Sequence, residues 1–391
     1  MEVIRSTPVP AYTGGSGPWK EHPVILDPHI RSTRPDRSAA GLLGCAAGTS
    51  GAATGGPAQE ACGTATPQAR GFTAPENDAS TLEVHVPAPA QRENVRFASG
   101  GTSCAAWYYP GSNGGCVIMA GGTSVTKEPA TDLFAARFND AGFAVLAFDH
   151  RRFGESGGAP RQVVRFDEQI ADWHAAIEYA ATLPDVDPDR ISVWGFSLAG
   201  GHVFRVAADH PRLACAIAQT PLVDGRAIAP HALRSMTPLA ALRLFGRGVA
   251  DTLGSLVGRP PMLVPTAGPR GTVASLTTRD AMDGDRALDP ERRHTTWEQT
   301  VAARIALQLP GYRPGRHASR IRCPLLVVVC DQDQSTLPGP AVGAARHTPN
   351  AEVVHLPGRH YAPFLEAHEQ AARTQIAFLR RHLAPHVART P

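Results

Sequence analysis

The chain of 391 residues is 42% hydrophobic and 19% charged with a formal net charge of +3 at pH 7, a balance that supports a sizeable buried core and excludes disorder of the chain as a whole. Its arginines are scattered rather than gathered into a stripe, so no nucleic-acid partner is expected. The start, "MEVIRSTPVPAYTGGSGPWK", lacks the apolar run of a signal peptide, and no later stretch is long and apolar enough to span a bilayer. No membrane partner is therefore expected, and a cytoplasmic location is the default.

Residues 1–80 are dominated by Gly, Pro, Ala, Ser and Thr, as in "GCAAGTSGAATGGPAQEACGTATPQARG", with almost no apolar periodicity. They read as a flexible, low-complexity leader without a catalytic part. From residue 81 the texture changes. "ENVRFAS" and "SCAAWYYP" read as antiparallel strands feeding the buried strand of "GCVIMAGG". "TDLFAARFNDAG" then places Leu133, Phe134 and Phe138 on one helical face, with Gly142 as its stop. "FAVLAFDH" is a continuous apolar run, as a strand covered on both faces requires. "FDEQIADWHAAIEYAATL" spaces Ile170, Trp173 and Ile177 as a helix.

This alternation predicts an α/β fold with a mostly parallel sheet flanked by helices. After "LACAIAQTP" it breaks into apolar helical stretches, "PLAALRLFGRGVADTLGSLV" and "TTWEQTVAARIALQL", joined by a Pro- and Gly-rich connection. The sheet pattern resumes with "CPLLVVVCDQD" and "AEVVHLPGRH", followed by a last helix carrying Ile376, Leu379 and Leu383. The expected division is a core in two parts, 81–221 and 321–391, around an inserted, mainly helical cap at 222–320. The seven cysteines are widely separated and odd in number; with no CxxC spacing they read as reduced, small apolar residues.

The stretch with most chemical content is "VWGFSLAGG". Ile191, Val193 and Trp194 read as a buried strand and Leu198 to His210 as a helix stopped by Pro211, which leaves Ser197 on the turn between them. Gly195 and Ala199 are the small residues that such a sharp elbow needs. A serine hydroxyl is a poor nucleophile until a base takes its proton and an acid orients that base. Both partners are found just past later strands: His360 after "AEVVHL", and Asp333 or Asp331 after "PLLVVVC". Loops at the carboxyl ends of parallel strands converge on one side of the sheet.

Over roughly residues 82–385 the chain resembles the α/β hydrolases. "VIMAGGTSVTKE" is similar to the loop after the third strand, "FDHRRFGESGG" to the turn after the fourth, and "DVDPDRISVWGFSLAGG" to the run into the nucleophile elbow. "VCDQDQSTLP" and "LPGRHYAPF" are similar to the segments that hold the acid and the histidine. The resemblance implies Ser197 as nucleophile, His360 as general base and then acid, and Asp333 as the orienting acid, with Asp331 as its competitor two positions earlier. It also implies an oxyanion hole made by the backbone N–H of Leu198 and of a residue in the Gly-rich loop, Thr123 in preference to Gly122. There the sequence departs from the usual His-Gly pair, with Gly121 and Gly122.

Other candidates carry a plainer reading beside the chemical one. Arg151 and Arg152 either meet a substrate carboxylate or brace their turn, and Asp149 reads as bracing the same turn. Leu239, Leu242, Leu244 and Phe245 either line an acyl pocket or are core. The histidines, including His150, His202 and His355, lack metal-ligand spacing, and there is no GxGxxG after a strand and no Walker loop, so neither metal nor cofactor is expected. The resulting expectation is a serine hydrolase cleaving a small or medium ester, thioester or lactone through an acyl-enzyme. Acyl transfer and short-peptide or amide hydrolysis are the alternatives, and a non-catalytic binding module is the remaining class. The partner is a small acyl substrate.

Overall fold

The structure is a computed structural model that describes residues 91–384 apart from 295 and 296. The leader expected at 1–80, with Cys45 and Cys62, lies outside the described residues. The chain enters through β1 (Glu93–Ser99) and β2 (Thr102–Tyr109). It continues through β3 (Cys116–Ala120), α1 (Lys127–Asp140), β4 (Ala144–Phe148), α2 (Phe166–Ala180), β5 (Ile191–Phe196), α3 (Leu198–Asp209) and β6 (Cys215–Gln219). A long excursion then carries α4 (Gly225–Ser235), α5 (Pro238–Leu256), β7 (Leu263–Pro265), α6 (Gly284–Leu288), β8 (Thr300–Ala302) and α7 (Ile305–Gln308). The chain returns through β9 (Leu325–Cys330), α8 (Pro338–Ala345), β10 (Ala351–Leu356) and α9 (His368–His382).

Eight strands form one sheet in the order β1-β2-β4-β3-β5-β6-β9-β10. β1 and β2 pair antiparallel, as do β2 and β4; from β4 through β10 every neighbour is parallel. The central strands are buried along their whole length, because helices cover both faces. Ile118, Val193, Ala216 and Val327 pack with Trp173 of α2 and Phe204 of α3 on one face. Met119, Trp194, Ile217 and Val328 pack with Phe134 of α1 and Phe378 of α9 on the other. The single-residue alternation along each strand thus sends neighbours into separate cores.

The excursion between β6 and β9 has its own apolar cluster, in which Ile228, Leu244, Val264 and Ile305 meet Leu198 and Leu222 at the edge of the sheet. One buried ion pair ties it internally. The Asp251 carboxylate, at the inner side of α5, accepts from the backbone N–H of Met262 and Arg304 and from Nε and Nη2 of the Arg304 side chain at 2.7 and 2.8 Å. Burial alone would raise the pKa of Asp251, and the Arg304 guanidinium reverses this and holds it below the usual carboxylate range. Among the described residues no helix is long and apolar enough to cross a membrane, and the described cysteines are all free and buried.

The fold places β5 at the middle of the sheet and turns the chain sharply into α3. At Gly195 the approach of that helix is so close that a Cβ would lie 2.3 Å from the Ala199 carbonyl oxygen. Gly195→Ala is therefore expected to lower stability by about 1–3 kcal/mol, read as a shift in the denaturant midpoint. A midpoint equal to wild type would show that the elbow tolerates the extra carbon.

Candidate active site

Ser197 sits alone between β5 and α3 at φ +57° and ψ −114°. A β-strand's geometry cannot pass directly into a helix over so short a turn, and this one residue takes up the change of direction. Its N–H donates to the Gln219 carbonyl at 2.9 Å, and its own carbonyl accepts from the N–H groups of Gly201 and Leu222 at 3.0 and 2.9 Å. Oγ is thereby held above the carboxyl edge of the sheet.

Two loops bring partners to it. His360 follows β10 and points Nε2 at Ser197 Oγ, 3.1 Å away. Its Nδ1 lies 2.7 Å from Asp333 Oδ2, so the tautomer that fits this arrangement carries its hydrogen on Nδ1 and offers Nε2 as the acceptor. The ring is packed by Phe196 and Tyr361, each with its centroid 5.0 Å away. Asp333 Oδ1 accepts from the N–H groups of Ser335 and Thr336, both at 2.8 Å, and Oδ2 from the Thr336 hydroxyl at 2.8 Å. The carboxylate is fully engaged.

The two residues shift each other's titration. Burial alone would lower the His360 pKa, but the charge and hydrogen bond of Asp333 outweigh it and leave the imidazole above its ordinary value. Burial alone would raise Asp333, and the facing His360 together with the Thr336 donors brings it below the usual carboxylate range. Asp331 plays no part in this arrangement: its side chain is 57% exposed against 2% for Asp333, and it pairs with His355 Nδ1 at 2.7 Å on the surface.

The Gly-rich loop closes the other side. A Cβ at Gly122 would stand 3.0 Å from the Ser197 Cβ, so glycine is what lets this loop lie against the serine. The Thr123 N–H donates to no backbone carbonyl among the described residues, and Thr123 lines the same cavity as Ser197. Leu198 is the first residue of α3, where a helix leaves its N–H groups without intrahelical partners. The structure thus brings together Ser197, His360, Asp333, Leu198 and Thr123.

The cavity beside Ser197 has a volume of only about 40 Å³ and is walled mainly by the excursion, through Thr266, Leu276, Ala281, Leu288, Trp297 and Gln299. Thr266 and Leu276 lie in irregular backbone without a periodic signal, and Trp297 and Gln299 belong to "TTWEQTVAARIALQL", where the expected single helix is not found: Thr300–Ala302 is β8 and only Ile305–Gln308 is α-helical. Two of them grip the Gly-rich loop: Thr266 Oγ1 lies 2.5 Å from Ser124 Oγ, and Trp297 Nε1 donates to the Ser124 carbonyl at 2.8 Å.

The Leu stripe of α5 is not an acyl pocket. Leu239, Leu242 and Phe245 are exposed on the outer side of the helix and Leu244 is buried in the cluster beneath it; the 3.6-residue period marked amphipathicity without saying which side met the site. Arg151 and Arg152 brace instead of facing a substrate. Arg151 bonds Asp172 at 2.6 Å and Ser99 at 2.7 Å, and Arg152 bonds Glu168 at 2.7 Å. Asp149 accepts from the Lys127 and Glu155 N–H groups, holding the turn after β4. Among the described residues no three His, Cys, Asp or Glu side chains are grouped as a metal site requires.

A mostly parallel eight-stranded sheet, covered on both faces and carrying a serine at its central strand-to-helix turn, is the α/β hydrolase architecture. A family profile described as "Serine aminopeptidase, S33" matches residues 112–359, and the chain belongs to that family of α/β hydrolases. It is 39% identical over 292 residues to the quorum-quenching protein AidA of Acinetobacter baumannii, covering 74% of this chain and 94% of the relative. It is 28% identical over 303 residues to the polyketide transferase af380 of Aspergillus fumigatus, covering 75% and 99%. Among solved structures, the α/β hydrolase GrgF from Penicillium superposes with a TM-score of 0.64 at 24% identity, covering 75% of this chain and 99% of that one; this likeness shows the fold.

The geometry predicts how His360 titrates. Followed by NMR, its imidazole should titrate above the ordinary value near 6.5, fall in Asp333→Asn, and stay where it was in Asp331→Asn. Since the folded-state pKa of His360 is raised and that of Asp333 lowered, the stability gained from the pair should be fully present between the ordinary values of the two groups, about pH 3.8 and 6.5, and be lost as pH rises through the folded value of His360 or falls through that of Asp333. An unchanged titration in Asp333→Asn would overturn the pairing.

Proposed function

We propose that this member of the family is a serine hydrolase that cleaves small or medium carboxylic esters, thioesters or lactones through an acyl-enzyme. The observation that carries the reading is the hydrogen-bonded line from Ser197 Oγ through His360 to Asp333, at 3.1 and 2.7 Å. Ser197 Oγ attacks the carbonyl carbon as its proton passes to His360 Nε2, and Asp333 stabilises the imidazolium that forms. The carbonyl oxygen becomes an oxyanion held by the N–H groups of Leu198 and Thr123. Collapse breaks the bond to the leaving alcohol or thiol, which takes the proton back from His360. Water then repeats the sequence, with His360 as base, and releases the acid and the free serine.

Acyl transfer is the second reading, favoured by the relative named as a polyketide transferase. The same residues would serve it, with a substrate alcohol or amine replacing water in the second half. Cleavage of short peptides or amides is a variant that the family description supports. The relative named for quorum quenching makes small signalling molecules worth including among the substrates tested.

The test is labelling of the purified protein with a fluorophosphonate. The wild type should label, and Ser197→Ala and His360→Ala should not. Both variants should lose a factor on the order of 10⁴ or more in kcat/KM on an activated ester. A Ser197→Ala variant with full hydrolytic activity would sink the mechanism. The small cavity sets a second expectation: among p-nitrophenyl esters, acetate and butyrate should turn over about tenfold faster than decanoate, and equal rates would show that the wall does not limit the acyl group. Product analysis with and without an added alcohol separates hydrolysis from transfer.

A further inference from the structure

One carboxylate that the proposed mechanism does not use lies close to it. Asp280, in the short stretch just before α6, is fully buried, and the donors it accepts from belong to the loop that carries Asp333. Its Oδ2 accepts from the N–H groups of Gln334 and Ser335 at 2.7 and 3.1 Å, and its Oδ1 from the Ser335 hydroxyl at 2.9 Å. The Ser335 N–H is shared, lying 2.8 Å from Asp333 Oδ1 as well, and the Thr278 hydroxyl lies 3.0 Å from Ser335 Oγ, closing the ring. The same stretch also reaches the loop of His360: Asp283 pairs with Arg359 at 3.2 Å, and Gly284 is so close to Tyr361 that a Cβ there would lie 3.2 Å from its hydroxyl.

We propose that Asp280 is a positioning residue that ties the wall over the cavity to the Ser197–His360–Asp333 line, by holding the 334–335 backbone on which the Asp333 carboxylate is oriented. The proposal rests on the serine-hydrolase reading for its kinetic consequences. A buried carboxylate is costly unless its donors are in place, so the seated wall and the ordered acid loop stabilise one another. A shift of the 280–284 stretch would withdraw an acceptor from the amide that Asp333 also uses. Asp280 contributes negative charge near His360 as well, adding to the effect of Asp333. The charges of Asp333 and Asp280 act on the imidazole; Ser197, Phe196 and Tyr361 lie against it without charge, and Asp283 and Asp285 stand near Tyr361, Asp285 also lining the cavity beside Ser197.

The experiment compares wild type with Asp280→Asn and Asp280→Ala in three readouts: the NMR titration of His360, the pH profile of kcat/KM, and thermal stability. Asp280→Asn keeps a carbonyl acceptor and loses the charge. It should move the His360 titration and the acid limb of the profile down by roughly half a pH unit or more and lower kcat by about tenfold with little change in KM. Asp280→Ala should shift the titration in the same direction with a larger loss of kcat. A folded Asp280→Asn that loses thermal stability while its titration, acid limb and kcat stay at wild type overturns the proposal and leaves Asp280 as a purely structural acid. Failure of the wild type to react with fluorophosphonate overturns the serine-hydrolase reading separately, and the substrate-free NMR titration still decides the position of Asp280.

Discussion

The geometry of the site depends on one backbone residue held where a side chain is strained. Ser197 at φ +57° and ψ −114° lies outside the wells that L-residues prefer, at a cost of roughly 1–3 kcal/mol. The surrounding structure over-determines it. Its N–H and C=O are bonded to three different partners, and the strand that receives its N–H is itself fixed by a buried polar line. In that line Trp194 Nε1 donates to Gln375 Oε1 and Gln375 Nε2 donates to Gln219 Oε1, both at 2.7 Å. Gln219 therefore holds the elbow with its main chain while α9 holds Gln219 by its side chain. The glycines at 195 and 122 follow from the same constraint, since the serine is presented only if a helix and a loop come within contact of its backbone.

His360 and Asp333 are fixed differently. They stand on loops, whose backbone groups need partners once buried, and those partners come partly from the excursion between β6 and β9. Asp280 satisfies the backbone after Asp333, Asp283 meets Arg359 beside His360, and Thr266 and Trp297 meet Ser124 in the Gly-rich loop. The sheet supplies the serine, and the excursion helps to order everything that faces it. An insertion that touches each of the loops around the serine is part of the site's support as well as its wall.

How far the sequence could be read follows from this division. The strands were legible because continuous apolar runs such as "AVLAF" and "LLVVVC" suit strands covered on both faces, and Ser197, Asp333 and His360 follow the ends of β5, β9 and β10. The choice between Asp331 and Asp333 was open, because two residues along a turn reverse the direction of a side chain and only the three-dimensional turn decides which faces inward. The cavity wall was illegible for a different reason. Thr266, Leu276 and Ala281 belong to backbone without a 2- or 3.6-residue period, and the helix that did announce itself, α5, turned its Leu239, Leu242 and Phe245 outward. Asp280 was equally hidden, since a carboxylate's neighbours in sequence say nothing about amides supplied from residues 334 and 335.

The excursion itself is built in two manners. Around α5 it is a small packed unit, with its own apolar cluster and the Asp251–Arg304 pair buried at its centre; removing either partner of such a pair typically costs about 3–5 kcal/mol. From Thr266 to Gln299 it is mostly irregular, and this is the part that lines the cavity. A line of Ser, His and Asp is indifferent to the acyl group it would process, because its bonds are to the reacting carbonyl alone. Discrimination among acyl chains has to come from the wall, where one methylene more or less is worth about 1–3 kcal/mol. The structure therefore separates two parts: the sheet and its elbow hold a geometry that tolerates little change, while the stretch that walls the cavity is the one in which side chains are least bound by the periodicity of the fold.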